Sequence, residues 1–183
     1  MEKKHFPKII LTERLVLKQH VLDQAETVFR YIDQDRQRLR EFLPWVDKTE
    51  KVDDSRAYVQ MTLEKWETSD LFDFGIFRKS DGLYLGNAGI HSIDWKNQTC
   101  ELGYWILGQF EGQGYVSEAV VGLQNAAFDV GFERVQIRCS TLNIKSASVP
   151  KRLNYKLESL IQNDLTEQGV RRDTFVFTLN KKP

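Results

Sequence analysis

Residues 101–115 read Glu101-Leu-Gly-Tyr-Trp-Ile-Leu-Gly-Gln-Phe-Glu-Gly-Gln-Gly-Tyr115 and join a predicted strand to a predicted helix through a glycine-rich loop. The strand, Thr99–Leu107, is rich in apolar and aromatic residues. In the helix, Tyr115–Val130, apolar residues recur at helical spacing. The first N–H groups of such a helix have no internal partners and lie at its positive end. The segment is therefore suited to bind an anion, typically a pyrophosphate.

The loop glycines, Gly108, Gly112 and Gly114, allow a tight turn and the close approach of a ligand to the backbone. The loop has neither the Lys-Ser/Thr of a P-loop nor the Gly-x-Gly-x-x-Gly of a dinucleotide-binding turn, and it does not follow a first strand. A tight turn that binds nothing is the commoner explanation of a lone Gly-x-Gly. The motif alone therefore does not establish a site.

Residue patterns outward from this segment predict an α+β fold. The predicted strands are Ile9–Lys18, Phe72–Lys79, Tyr84–Trp95, Thr99–Leu107, Arg134–Thr141, Tyr155–Gln162 and Asp173–Leu179. The predicted helices are Val21–Asp35, Gln37–Phe42, Asp53 or Asp54 to about Thr68, Tyr115–Val130 and Lys145–Leu153. Short turns make the middle three strands antiparallel neighbours, and the strand–helix–strand unit after them predicts one parallel pair. The sheet is therefore expected to be mixed and mostly antiparallel.

Composition favours a single soluble domain over residues 1–183, since no linker, repeat or low-complexity tract divides the chain. Lys+Arg and Asp+Glu are 26 each, so the charge balance gives no reason to expect a nucleic-acid partner. No apolar run approaches the ~20 residues of a membrane span, and the first residues do not resemble a signal peptide. We expect a cytoplasmic protein without a membrane partner. Cys100 and Cys139 are expected to be buried thiols rather than a disulfide or redox pair.

Further short motifs accompany the loop. In chain order they are Thr12-Glu-Arg14-Leu15-Val-Leu17, Pro44-Trp45, Glu101-Leu-Gly-Tyr-Trp-Ile106, Gln109-Phe-Glu-Gly112-Gln-Gly114, Asn143-Ile-Lys-Ser146 and Asp173. In this order they resemble the GNAT superfamily of N-acetyltransferases and, within it, the branch that acetylates the N-termini of ribosomal proteins. Each motif is weak alone, but the set extends over nearly the whole chain.

The resemblance implies a twisted sheet with helices on both faces, acetyl-CoA as cosubstrate and no metal. It also implies that the strand around Tyr104–Leu107 bulges and splays from the next one. Its free N–H groups would hold the pantetheine arm and polarise the thioester carbonyl. The residues that the resemblance assigns to acetyl-CoA are Trp105, Ile106, Leu107, Gln109, Gly112, Gln113, Gly114, Tyr115, Val116, Ser117, Asn143 and Ser146.

The resemblance also places Asn143 at the CoA arm and Ser146 near the sulfur. Many members have a tyrosine acid where this chain has Pro150, so Ser146 is the predicted acid. We expect Pro150 to lie in the first turn of its helix, where proline is tolerated. The alternative is that Asn143 and Ser146 only start that helix.

Two departures from the family pattern bear on these expectations. Asn154-Tyr155 replaces a Gly-Phe, and the asparagine is expected to adopt the left-handed turn of that glycine. Gln113 occupies a position that is often basic, beside the acidic Glu111. Phosphate binding is therefore expected to depend mostly on the backbone and the helix dipole.

An amine acceptor needs little help to lose its proton if it is an N-terminus, because an α-amino pKa is about 7.7–8.0 and a lysine pKa about 10.4. A carboxylate acting through water then suffices. Glu101 is the predicted base or water-orienting residue, with a surface or ion-paired role as the alternative. Asp164 is a second choice.

The predicted function is an acyltransferase that passes acetyl to a primary amine, a protein or peptide N-terminus, by direct attack in a ternary complex. Two alternatives remain: acetylation of a small amine such as a polyamine, amino acid or aminoglycoside, and a CoA-binding regulatory module without turnover. The tryptophans line either the acceptor cleft or the core. The three histidines lack the spacing of metal ligands. Pairing of the final strands across subunits would give a homodimer.

Overall fold

The computed structural model describes residues 3–167 and 169–182, which form one eight-stranded sheet and five α-helices. The strands are β1 (Ile9–Leu11), β2 (Leu15–Gln19), β3 (Phe72–Arg78), β4 (Tyr84–Asp94), β5 (Thr99–Ile106), β6 (Arg134–Ser140), β7 (Lys156–Glu167) and β8 (Val170–Asn180). The helices are α1 (Ala25–Gln34), α2 (Arg36–Leu39), α3 (Val52–Glu67), α4 (Tyr115–Val130) and α5 (Ile144–Arg152). Among these helices, none is both long and apolar enough to cross a membrane.

The strand order in the sheet is β1-β2-β3-β4-β5-β6-β8-β7. Neighbouring strands are antiparallel except β5 and β6, which are parallel and joined by α4. This confirms the predicted α+β class, the antiparallel middle strands and the one parallel pair.

The first predicted strand, Ile9–Lys18, is wrong as a single element. The chain reverses after Leu11, and β1 and β2 form a hairpin in which Leu11 lies opposite Val16. Thr12 closes the turn with Leu15, and the Glu118 carboxylate accepts hydrogen bonds from the Thr12 hydroxyl and the Arg14 N–H, each at 2.6 Å. This partner lies on α4, so the local alternating pattern could not indicate the turn.

β5 and β6 separate part-way along their length. Their pairing ends at Glu101 opposite Gln136, whereas β6 continues to pair with β8 as far as Ser140. The segment Leu102–Ile106 pairs with β4 alone, so one of its backbone edges lacks a strand partner. The splay that the resemblance implied is present. The implied bulge is not at this place, because the register with β4 is continuous from Gly86–Ile106 to His91–Glu101.

Helices cover both faces of the sheet. Alternate strand residues point to opposite faces: Gly103 and Trp105 line a cleft with residues of α1 and α3, whereas the Tyr104 hydroxyl contacts Ser146 of α5. α4 packs a buried stripe against the sheet and ends, as predicted, at Gly131 with φ +115°.

The end of α5 agrees with the expectation and its interior does not. Asn154 has φ +62° and Tyr155 is buried, which confirms the left-handed turn and the filled aromatic position. Pro150, however, is inside the helix that starts at Ile144, beyond its first turn. The expectation of a first-turn proline was therefore wrong, and the tolerance of Pro150 needs another explanation.

Candidate active site

The loop before α4 exposes backbone where an anion would bind. Gly112 and Gly114 have φ of +72° and +81°, in the left-handed region that favours glycine. A Cβ added at Gly112 would meet nothing within 4 Å, so this part of the loop is open. Gly114 is the N-cap of α4, and no side chain caps the helix there. The free N–H groups of the first turn are thus available to a ligand.

Basic side chains reach this loop from distant parts of the chain. An Arg14 guanidinium N–H donates to the Gln113 carbonyl at 3.0 Å, and the guanidinium lies over the Tyr115 ring. An Arg152 N–H donates to the Ser117 hydroxyl at 2.9 Å. The Glu111 carboxylate forms ion pairs with Arg38 and Lys145. Arg14, Arg38 and Lys145 are each ion-paired with a carboxylate of the protein, so the expectation that backbone and dipole do most of the phosphate binding stays a prediction.

Asn143 and Ser146 occupy the start of α5. Asn143 is the N-cap, and its side-chain oxygen accepts a hydrogen bond from the Ser146 N–H at 3.0 Å. Asn143 therefore caps the helix, as the alternative interpretation predicted. Ser146 differs, since its hydroxyl donates to the Tyr104 hydroxyl at 3.3 Å rather than to a group of its own helix.

Tyr104 was not among the predicted site residues. It lies on the unpaired part of β5, and its hydroxyl donates to the Ser146 carbonyl at 3.0 Å. Burial raises the pKa of the Tyr104 phenol, although the hydrogen bond with Ser146 opposes the shift. The hydroxyl consequently keeps its proton over the physiological range.

A cleft of about 590 Å³ lies on the face covered by α1 and α3. Its apolar and aromatic lining includes Val28, Ile32, Leu43, Trp45, Tyr58 and Trp105. The rings of Trp45 and Trp105 are 6.1 Å apart. Trp66 and Trp95, in contrast, are buried in the core. The core expectation is correct for Trp66 and Trp95, whereas the role of Trp45 and Trp105 in binding an acceptor stays a prediction.

The acidic groups of the cleft are already engaged by the protein. The Asp73 carboxylate accepts hydrogen bonds from the Tyr58 hydroxyl at 2.9 Å and the Asn87 side-chain amide at 3.1 Å, and His20 Nε2 lies 3.1 Å from it. The Asp54 carboxylate accepts from the backbone N–H groups that precede α3. The N-cap of α3 is Lys51, so the predicted helix start at Asp53 or Asp54 is two or three positions late, and Asp54 instead accepts from the N–H of the N-cap residue.

Glu101 lies beside the cleft rather than in its lining. Its carboxylate is 3.9 Å from His91 Nε2, and His91 does line the cleft. A Cβ on Gly103 would come within 2.9 Å of the same nitrogen. Because Gly103 has no side chain, the His91 imidazole can lie over it, near the start of the part of β5 that has no β6 partner.

The family profile described as an acetyltransferase (GNAT) domain matches residues 14–156. This chain belongs to the GNAT family of acetyltransferases. Its membership makes it an acyltransferase and agrees with the fold and with the order of the motifs.

Curated relatives of this GNAT protein are similar along most of their length. One is a Bacillus subtilis protein, YdaF, provisionally called a ribosomal N-acetyltransferase, which is 29% identical over 161 residues that make up 86% of each chain. Another is the Escherichia coli ribosomal-protein-serine acetyltransferase, 25% identical over 155 residues, which are 84% of this chain and 86% of the relative.

Solved GNAT structures share the fold. RimL, described as a ribosomal L7/L12 α-N-protein acetyltransferase in complex with coenzyme A, superposes with a TM-score of 0.90 and 21% identity over 94% of this chain and 97% of RimL. The microcin C7 self-immunity acetyltransferase MccE, in complex with acetyl-CoA and AMP, superposes with a TM-score of 0.88 and 24% identity over 92% and 93%.

The GNAT fold brings the predicted site residues into two groups. The first group, Gln109 to Ser117, forms the loop and the start of α4. The second group, Trp105, Ile106, Leu107, Asn143 and Ser146, lies at the end of β5, where β5 has separated from β6, and at the start of α5. The Trp105 side chain lies on the cleft side, against Trp45. Asp164, the second choice of base, is ion-paired with Arg138. Within the described residues, no three His, Cys, Asp or Glu side chains are grouped as metal ligands would be.

Proposed function

We propose that this GNAT protein transfers acetyl from acetyl-CoA to a protein or peptide N-terminus, by direct attack of the amine in a ternary complex. The observation that carries the proposal is the opening between β5 and β6. On one side of it lie the loop and the start of α4. On the other side Gly103 and Trp105 border the deep cleft. Two substrates that enter from opposite sides would meet at the part of β5 that pairs with β4 but not with β6.

The residues at the loop are chemically suited to CoA. Gly112 and Gly114 leave backbone N–H groups open, and Arg14 and Arg152 add positive charge beside Gln113 and Ser117. Such a set of donors favours a pyrophosphate. Acetyl-CoA supplies the reactive thioester; the N–H groups of Leu102–Ile106 on the edge that lacks a β6 partner would bind its arm. The N–H of Leu107 is not among them, because it donates to the Leu85 carbonyl at 2.9 Å.

The cleft favours an N-terminus over a polyamine. A polyamine site needs several free carboxylates, whereas Asp54 and Asp73 are held by hydrogen bonds from the protein itself. The aromatic lining, which includes Trp45 and Trp105, instead offers apolar surface to the first residues of a peptide. The names of the relatives YdaF and ribosomal-protein-serine acetyltransferase point to the same class of acceptor.

The amine side has a pair of groups able to accept a proton. His91 faces the cleft, and its Nε2 lies 3.9 Å from the Glu101 carboxylate, which is placed to orient the imidazole. The predicted base, Glu101, would then act through His91.

Direct transfer is favoured over a covalent enzyme intermediate. Burial raises the pKa of the Cys100 thiol to about 12, which keeps it protonated and unreactive. Cys139 is also buried, and the two are not joined by a disulfide.

Gly112→Asp tests the cofactor side. It places a negative side chain where phosphates would bind, and we expect acetyl-CoA binding by calorimetry and thiol release with a Ser-starting peptide to be lost. Gly169→Asp is the matched control, because Gly169 also has a positive φ (+77°) and open space around it. Equal CoA affinity in a folded Gly112→Asp protein and the wild type would show the site to be elsewhere.

His91→Ala tests the amine side. We expect kcat/KM for the peptide to fall by about 10-fold to 100-fold and added imidazole to restore part of it, since a free imidazole can occupy the vacated space. His5→Ala, at an exposed position, is the control and should not respond to imidazole. Wild-type activity of His91→Ala combined with a defect in Glu101→Gln would return the base to Glu101 acting through water.

A further inference from the structure

A proline inside α5 changes the hydrogen bonding of its first turn. In an α-helix the N–H of residue 150 would bond to the carbonyl of residue 146. Pro150 has no N–H, so the Ser146 carbonyl loses this partner. A carbonyl near a helix start that lacks its helical partner is free to accept from outside the helix.

The outside donor is Tyr104. Its hydroxyl lies 3.0 Å from the Ser146 carbonyl and 3.3 Å from the Ser146 hydroxyl. Tyr104 belongs to the stretch of β5 that has separated from β6, so its side chain spans from the strand to the helix across the opening. The carbonyl and the hydroxyl of Ser146 are thus both held by one phenol.

We propose that Tyr104 is a positioning residue for acetyl transfer, because it holds the Ser146 hydroxyl beside the opening between β5 and β6. Pro150 keeps the Ser146 carbonyl available to Tyr104. The proposal rests on the proposed function. In the reaction the new N–C bond forms, the C–S bond breaks with its electron pair left on sulfur, and the amine proton passes to His91. The Ser146 hydroxyl, which the family resemblance places near the sulfur, would turn its one proton from Tyr104 to the departing thiolate. Tyr104 keeps donating its own proton to the Ser146 carbonyl and so holds the serine in place.

The role proposed for Tyr104 requires its hydroxyl, whereas a tyrosine that only fills space in the core would not. Burial keeps the phenol of Tyr104 neutral, so it can donate to the Ser146 carbonyl and accept from the Ser146 hydroxyl at the same time. Tyr155 offers a comparison: it is also buried, and its hydroxyl donates to Gln124 at 2.9 Å, but it lies beyond the end of α5.

The test compares Tyr104→Phe, Pro150→Ala and the double variant by calorimetry and by thiol release, with and without a peptide acceptor. Tyr104→Phe should bind acetyl-CoA within about twofold of the wild type and lose about 10-fold in kcat, as expected for a positioned hydroxyl. Pro150→Ala restores an N–H that competes for the Ser146 carbonyl, so kcat should also fall. Because both changes act on one contact, the double variant should be no slower than Tyr104→Phe. Tyr155→Phe should keep wild-type kcat.

Wild-type kcat in Tyr104→Phe, or multiplied losses in the double variant, would overturn the proposal. Basal hydrolysis of acetyl-CoA needs departure of the thiol but no amine, so it tests Tyr104 even if no peptide is acetylated. If the wild type acetylates no peptide, the acceptor assignment is refuted, and a fall in peptide-independent hydrolysis in Tyr104→Phe would still support this role. Failure of the wild type to bind acetyl-CoA would refute both.

Discussion

Ser146 can be interpreted either as a residue that only starts helix α5 or as the acid of the reaction. Asn143 already caps α5 by accepting from the Ser146 N–H, and the Ser146 hydroxyl bonds Tyr104 instead of the helix backbone. Removal of that hydroxyl therefore takes away no cap. Its loss should affect the chemistry more than the stability.

Ser146→Ala is expected to keep acetyl-CoA binding and to lower kcat by about 10-fold to 100-fold. Asn143→Ala is expected to lose about 1 kcal/mol of stability, the usual cost of a lost cap. Ser148→Ala is the control for turnover, because Ser148 is a half-buried serine of the same helix whose hydroxyl donates to the Lys145 carbonyl. Steady-state kinetics and thermal unfolding of the three variants check this. Wild-type turnover with reduced stability in Ser146→Ala would contradict the catalytic reading.

Single residues were predictable where their conformation is local. Gly112, Gly114 and Asn154 adopt positive φ as their residue types indicate. Arg14 and Tyr104 were not recognised as site residues, because their partners, Gln113 and Ser146, become neighbours only in the folded sheet.

At the scale of elements, the β1–β2 hairpin is fastened to α4 by one carboxylate. Burial raises the pKa of Glu118, but hydrogen bonds from the Thr12 hydroxyl and from the backbone and side chain of Arg14 outweigh it and hold that pKa below its usual value. A carboxylate with a lowered folded-state pKa stabilises the protein above its unfolded pKa of about 4.3, and this stability is lost as pH falls through the folded value.

Glu118→Gln should therefore lower the free energy of unfolding at pH 7 by about 1–2 kcal/mol, the scale of hydrogen bonds to a charged group. The difference from the wild type should shrink as the pH falls below about 4. Glu133→Gln, at an exposed position, should show no such difference. Urea unfolding at several pH values measures it. A difference that stays constant with pH would contradict the charge-dependent fastening.

Elements with a clear period were predicted well, and α4 matches residue for residue. The β1–β2 hairpin was missed because two short strands around a turn have the same alternating pattern as one long strand. The turn is fixed by Glu118, about a hundred positions later in the chain, and no local rule contains that information.

At the scale of the whole molecule, the divergence of β5 from β6 lies between two candidate binding regions, the loop before α4 and the cleft. The loop proposed for CoA could be located from the sequence because its residues and the helix start are contiguous. The cleft could not, since its lining combines residues from α1, α3, β3, β4 and β5.

The most direct test of the function is a competition for acetyl groups at about pH 7.5, where an α-amine with a pKa of about 7.7–8.0 is substantially neutral and a lysine is not. The protein and acetyl-CoA are incubated with equal concentrations of three amines: a Ser- or Ala-starting peptide, its N-terminally blocked lysine-bearing counterpart, and spermidine. The acetylated products are identified and quantified by mass spectrometry. We predict that the free N-terminus is acetylated preferentially. Preferential acetylation of spermidine or of the blocked peptide would contradict the N-terminal assignment, and absence of transfer to all of them would contradict the proposed activity itself.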